Sequence, residues 1–338
     1  GVPTAVADDS RDTGATLLVN YEMNPRWRHQ WLAMHFGGAL ELNDFGYLSR
    51  HDLNYGHWQV SRRFTDLPAD SAYSSLDLRL RAIGMDNDDG LRLQRQFRAN
   101  AQNQRRDGGE EFAQLNVNSA SYDDLLTRGG HALYRPPNAS LSWERFRPRK
   151  DHWAFYGNLR YSAEGLGGSD DGAIRARFEP TFHVDDALSF FGGLDLTHNP
   201  DWLLWRGGNL LGTFRSNLVF LSGGSTWLID DKQELRVRLE AIGLDAEARQ
   251  AWRVAADGTP VAVDEALPDF ALRNLGFQVR YRYELAPLSF LYIAYVRGGA
   301  RFDEGDGMRY GAIDELGGAF DLRDSEQLLV KLSYRFGI

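Results

Sequence analysis

Residues Leu328 to Phe336 read Leu-Leu-Val-Lys-Leu-Ser-Tyr-Arg-Phe, and this stretch sets how the rest of the chain is read. Leu328, Val330, Leu332, Tyr334 and Phe336 make one wholly apolar face. Leu329, Lys331, Ser333 and Arg335 make the other, mostly polar. A period of two with unlike faces is the pattern of a β-strand between two different environments. In a sandwich the apolar face turns inward. In a membrane barrel it turns out to lipid, and terminal aromatics sit at headgroup level. Only recurrence along the chain separates the two.

The pattern recurs. Leu17, Val19 and Tyr21 share a face, as do Leu32, Met34 and Phe36. Leu76, Leu78 and Leu80 alternate with Asp77, Arg79 and Arg81. Leu91, Leu93, Phe97 and Ala99 alternate with Arg92, Gln94, Gln96 and Arg98. Ala113, Leu115 and Val117 continue the series, followed by Leu141 and Trp143, then by Phe155, Leu159 and Tyr161 around Arg160. Ile174, Ala176 and Phe178 alternate with Arg175, Arg177 and Glu179. Leu235, Val237 and Leu239 alternate with Arg236, Arg238 and Glu240. Phe277, Val279 and Tyr281 alternate with Arg280 and Arg282. This gives about fifteen strands of roughly ten residues, the length a tilted strand needs to cross a bilayer.

Connections alternate in length. Short ones fall at Asn24-Pro25, Asp66 to Asp70, Arg147 to Asp151, Val184 to Asp186, Asp230 to Gln233 and Ala286-Pro287. Long ones are expected at Asn43 to Leu53, Asp123 to Asn138, Asn199 to Arg215, Asp245 to Arg273 and Arg301 to Glu326. Tight turns on one side and long loops on the other are the grammar of outer-membrane barrels. The expected fold is therefore all-β, a transmembrane antiparallel up-and-down β-barrel with about 14–16 strands in view. Residues 1–13 form an extension or loop, and 14–338 the barrel. An odd count leaves two alternatives: one strand is misjudged around Trp202 to Gly224, or further strands lie upstream or on a separate chain.

Composition fits. The 338 residues include no cysteine, which excludes disulfides and thiolate metal sites. A formal charge of −9 argues against nucleic acid as a partner. No run of about 18 apolar residues offers a helical span. The 35 glycines and 12% aromatics favour strands and tight turns. The first residue, Gly1, carries no secretory leader, the expectation for a mature or partial polypeptide.

The last strand resembles the terminal strand of outer-membrane barrels, with Leu332, Tyr334 and Phe336 as the signal read by the barrel-assembly machinery. Gly337 and Ile338 depart from the usual terminal aromatic. Asn43-Asp44-Phe45-Gly46-Tyr47-Leu48-Ser49-Arg50, followed by Asp52, resembles a motif in a family of outer-membrane barrel domains of unknown function. Val330 to Phe336 resembles that family's ending. The resemblance implies a location in the bacterial outer membrane, in contact with its lipid and lipopolysaccharide. It also implies an N-terminal carbohydrate-binding-like sandwich in full-length members, which this chain lacks.

For function, the polar face matters most. Arg79, Arg81, Arg92, Arg98, Arg160, Arg175, Arg177, Glu179, Arg236, Arg238, Glu240, Arg280, Arg282 and Arg335 are the candidate lumen-lining residues. Two readings stay open: a charged pore for anionic or carbohydrate-derived solutes, or a salt-bridged wall in a plugged, structural or surface-binding barrel. A weaker third is a membrane-embedded hydrolase using His35, His57 or His183, which no spacing groups into a catalytic set. Asp303-Glu304-Gly305-Asp306 and Asp86-Asn87-Asp88-Asp89 offer oxygen ligands but lack calcium-loop spacing. No cofactor motif is found.

Overall fold

The computed structural model describes residues 12–40, 50–163, 165–305 and 311–336. The strands are β1 (Gly14–Asn24), β2 (Trp27–Phe36), β3 (Leu53–Phe64), β4 (Tyr73–Asp86), β5 (Arg92–Arg105), β6 (Glu110–Asn118), β7 (Ser121–Asp123), β8 (Leu133–Arg135) and β9 (Asn138–Lys150). They continue with β10 (Trp153–Ser162), β11 (Ala173–His183), β12 (Leu188–Gly207), β13 (Leu210–Leu228), β14 (Gln233–Val254), β15 (Pro260–Val263), β16 (Phe270–Ala286), β17 (Ser289–Glu304) and β18 (Ser325–Ser333). One helix, α1 (Ala312–Ala319), precedes β18.

Apart from the small hairpin β7–β8, all strands join one antiparallel sheet in chain order. Fifteen strands form its path, and β15 pairs on the side with β14. Among the described residues β1 pairs only with β2, and β18 only with β17.

Register carries the alternation across the sheet, but β2 reverses the expectation: Leu32, Met34 and Phe36 share a face with Arg28 and Gln30 and pair inward with His57, Tyr55 and Leu53, while Trp31 and His35 turn outward. Leu78, Ala101, Ala113, Trp143, Leu159, Ala176, Leu196 and Val219 stand side by side on eight successive strands. Leu78, Trp143, Leu159 and Leu196 are exposed. A face this apolar and this open is what lipid, not water, solvates. Aromatics gather on it toward one end: Trp153 packs on Phe182 at 4.9 Å, and the Arg62 guanidinium lies over both Trp27 and Phe64. Such amphipathic side chains suit an interface.

The expected short connections all fall at that end, and the reason is local. Asn24 Oδ1 accepts from the N–H groups of Arg26 and Trp27, Asp185 Oδ1 from Ala187 and Leu188, and Asp230 Oδ1 from Lys232. A short side-chain acceptor thus closes each of these three turns on its own backbone. At Asp107 the Gly109 N–H holds the carboxyl below the usual carboxylate range, against partial burial and with help from Arg105. The Lys232 N–H does the same for Asp230.

The opposite end departs from expectation. Asn199 to Arg215 is not a loop: β12 and β13 run through it and turn at Gly208-Asn209. Most of Asp245 to Arg273 is also strand, since β14 reaches Val254, β15 pairs back on it, and β16 begins at Phe270. At this end the strands are covered by other loops, so alternation between unlike solvents is no longer required of them. Nor does Gly223-Gly224 interrupt β13. A Cβ on Gly224 would lie 2.1 Å from the Val237 carbonyl oxygen, so glycine there allows close approach of two strands. The Asp123 to Asn138 and Arg301 to Glu326 connections hold β7–β8 and α1 respectively. Within the Asn43 to Leu53 stretch, residues 43–49 lie outside the described residues, and Leu53 begins β3.

Helix α1 seats on β14 and β16. Ala241 and Ala319 are fully buried together with Leu275, and a Cβ on Gly243 would meet the Ala312 carbonyl at 2.1 Å. Ala312 N–H donates to Asp245 Oδ1 at 2.7 Å. Ala241 shares a row with the exposed Leu194, so the helix covers the outward face.

Candidate functional site

The inward face is polar in continuous rows. Gln30, Gln59, Arg81, Arg98, Asn116 and Ser140 are neighbours across β2 to β9. The next row holds Arg28, Ser61, Arg79, Asn100, Gln114, Ser142, Arg160 and Arg175. Arg177 faces Asp195 in a third.

The candidate arginines divide by partner. On β4 and β5 they are held by amides: Arg81 Nε donates to Gln59 Oε1 at 3.0 Å, Arg79 to Gln102 Oε1 at 3.3 Å, and Arg98 Nε to Asn116 Oδ1 at 2.9 Å and Gln96 Oε1 at 3.1 Å. No ion pair joins these three to a carboxylate among the described residues. Arg81 and Arg98 are direct cross-strand neighbours. An amide fixes a guanidinium without cancelling its charge, so this sector stays positive.

On β11 to β16 the partners are carboxylates. Arg175 Nε donates to both oxygens of Asp195, at 2.9 and 3.0 Å, and Asp195 is only 2% exposed. Arg177 pairs with Glu179, and Arg236 with Glu234, which also lies 3.5 Å from Arg282. The Arg238 guanidinium lies 4.3 Å over Phe191. Arg236, Arg280, Arg282 and Lys331 line a recess on this side, while Glu240 stands exposed at an inward position. Arg160 is inward beside Ser142 and Arg175. Arg92 lies at the bulged end of β5 opposite Asp86, and Arg335 lies past the end of β18, so neither belongs to the regular rows. Leu332 faces outward opposite Leu291, and Tyr334 and Phe336 follow the strand with ring centroids 5.1 Å apart.

The histidines do not assemble. His35 bonds Asn54, His57 bonds Gln30 and Tyr55, and His183 bonds His152 through its backbone. Among the described residues no group of three His, Asp or Glu side chains forms a metal cluster. Asp303 is taken by Arg273 and Arg301, and Asp86 by Arg95.

Sequence reading missed a folded cap at the long-loop end. Leu133, Leu211 and Val254 form a buried core packed by Leu126, Leu203, Trp205 and Trp252. His131 N–H donates to Asn209 Oδ1 at 2.7 Å, Tyr134 N–H to the Gly258 carbonyl at 2.8 Å, and Arg128 lies 4.3 Å over Trp205. Arg50 pairs with Asp124, and Arg206 with Glu304 at 2.7 Å. These contacts join connections several strands apart in the sheet, so the wall is curled enough at this end for its loops to meet. A second core of Phe214, Ala246 and Phe270 is packed by Trp202, Leu244 and Leu267. Ala246 and Phe270 continue the inward-facing positions of β14 and β16.

No family model matches the chain, and no curated protein matches it. Among solved structures it is similar to the siderophore receptor PirA from Acinetobacter baumannii, at 9% identity and a TM-score of 0.39, over 96% of this chain and 64% of that one.

Proposed function

We propose that the chain forms the wall of a bacterial outer-membrane barrel whose lumen passes small polar solutes, anionic and carbohydrate-derived ones foremost. Lipid and lipopolysaccharide would contact its outward face, and the barrel-assembly machinery would read Leu332, Tyr334 and Phe336. The membrane part of this reading rests on the apolar outward rows: only helices and closed barrels satisfy their backbone in hydrocarbon, and no described helix is long and apolar enough to cross. The resemblance around Asn43 to Asp52 would make the chain the barrel part of a longer polypeptide.

The observation that carries the pore reading is the amide-held trio Arg79, Arg81 and Arg98. Positive charge fixed along a water-filled wall raises the local concentration of anions. The test is planar-bilayer recording of the protein isolated from outer membranes. Stepwise conductance with anion preference is expected. Arg81→Gln with Arg98→Gln should lower that preference by about twofold per charge, since a unit charge at ~10 Å in water is worth roughly 0.4 kcal/mol.

The cap favours a second reading, in which the loops close the mouth and present a binding surface outside. Absence of any conductance step, in the parent protein and in a cap-loosened variant alike, would replace the pore with this role.

A further inference from the structure

The two edges of the sheet carry a constraint that neither functional reading uses. All eleven residues of β1 and all nine of β18 are exposed, on both faces. Yet both are membrane strands by pattern. Leu17, Val19 and Tyr21 lie in the outward rows with Ala33, Trp31 and His29. Leu328, Val330 and Leu332 lie in them with Tyr295, Ile293 and Leu291. Among the described residues each edge therefore presents a line of unpaired N–H and C=O groups at hydrocarbon depth, where no water can satisfy them.

Direction decides what can cover them. Every neighbouring pair along the path is antiparallel, and β1 and β18 are its first and fifteenth members. They therefore run the same way, from the long-loop end to the short-turn end. Direct closure of one on the other would be parallel. A second copy gives no escape: copies sharing a membrane orientation are related by rotation about its normal, which preserves strand direction. Edge-to-edge contact between copies is then parallel in every arrangement.

We infer that the seam between β18 and β1 is filled by an odd number of further antiparallel strands, from a β-segment that is not a second copy of these fifteen. One strand suffices to make the even number that single-chain bacterial barrels use. Its chemistry follows from its neighbours. Outward residues must be apolar to match Val19 and Val330. Inward residues must be polar to match Asn20 and Lys331. A strand pairing both edges runs from the short-turn end to the long-loop end, finishing beside the start of β1 at Gly14.

The inference rests on the outer-membrane reading, and the experiment separates the two. A photo-crosslinking residue is placed at Leu18, and in a second variant at Leu329, in the protein as it is made in cells. Outer membranes are then isolated, irradiated, and run with and without heating. Recovery in the outer membrane with a heat-modifiable band upholds the barrel whatever the adduct. A soluble protein with no heat shift ends that reading first. Given a barrel, mass spectrometry of the adduct decides the seam. The expected result is that both positions capture peptides from one alternating apolar–polar segment outside β1 to β18. Leu18 joined to the β18 region within one chain would mean parallel closure. Joined between chains, it would mean copy-to-copy contact. Adducts with lipid alone would mean bare edges. Each of these three overturns the inference.

Discussion

The two ends of this sheet solve the same problem by opposite means. At the short-turn end, four connections are closed by a side chain on its own backbone, at Asn24, Asp107, Asp185 and Asp230. Further ties reach only the next turn along the sheet, as from Arg26 to Asp66, from Arg106 to Pro68 and Ser71, and from Arg149 to Asp186. At the long-loop end, connections that are far apart in sequence are held by one another through the Leu133–Leu211–Val254 core. The first arrangement is local, and damage to one turn reaches no further than its neighbour. The second is collective, and a single core residue matters to several loops.

The sharpest way to break this contrast is Leu133→Ala. Leu133 is fully buried, and removing its side chain should cost the cap about 2–5 kcal/mol. Limited proteolysis should then cut both the 119–137 and 255–259 connections while the heat-modifiable band survives. Loss of the band as well would show that cap and wall are one cooperative unit.

A smaller effect is expected at a single turn. Asp230→Ala removes the acceptor for Lys232 N–H and Gln233, and its effect should be small and confined to that turn and its neighbour. Hydrogen exchange should rise around 229–233 and nowhere in the cap. Spread past the neighbouring 284–288 segment, whose Glu284 N–H donates to the Lys232 carbonyl, would contradict this locality.

Acid tests the same acceptors together. The Asp107 and Asp230 carboxyls are held below their ordinary range by backbone N–H groups. Their contribution is full above the unfolded carboxylate pKa, about 3.9, and is lost as pH falls through the lowered folded values. Asp257, in the turn that Tyr134 contacts, is lowered in the same way by Thr259. Exchange should therefore rise at these three turns only below about pH 4. A rise near neutrality would exclude these carboxylates as the cause.

The smallest expected change is a gain. Leu288 sits at φ 64° in the turn between β16 and β17, a conformation costly for a branched side chain. Leu288→Gly should raise the heat-modification temperature slightly, by relief of roughly 1 kcal/mol. A lower temperature would mean that the Leu288 side chain contributes more at the interface than its backbone costs.

How far the sequence could be read follows from where each strand lies. Within the bilayer, two unlike solvents impose alternation, so Leu78, Arg79, Leu80 and Arg81 declare their faces unaided. Above it that pressure ends. Trp202 to Trp205 and Asp245 to Val254 lie in strands covered by the cap, and their composition resembles a loop. The inward arginines were legible, but their partners were not. Arg175 and Asp195 meet because β11 and β12 pair in one register, and nothing local distinguishes that carboxylate from others nearby. Arg98 reads as one more charge until Asn116 is seen beside it.

The contact between His131 and Asn209 spans 78 residues of chain, whereas each hairpin turn spans only a few. Bringing distant segments together carries an entropy cost that neighbouring strands do not face. The wall can therefore zip up one hairpin after another, each addition templated by the strand before it, while the cap must wait until curvature has brought its parts close. During biogenesis the sheet would pass through a stage when its wall is paired but uncapped, so the order of assembly itself sets when the long-loop end acquires its cap.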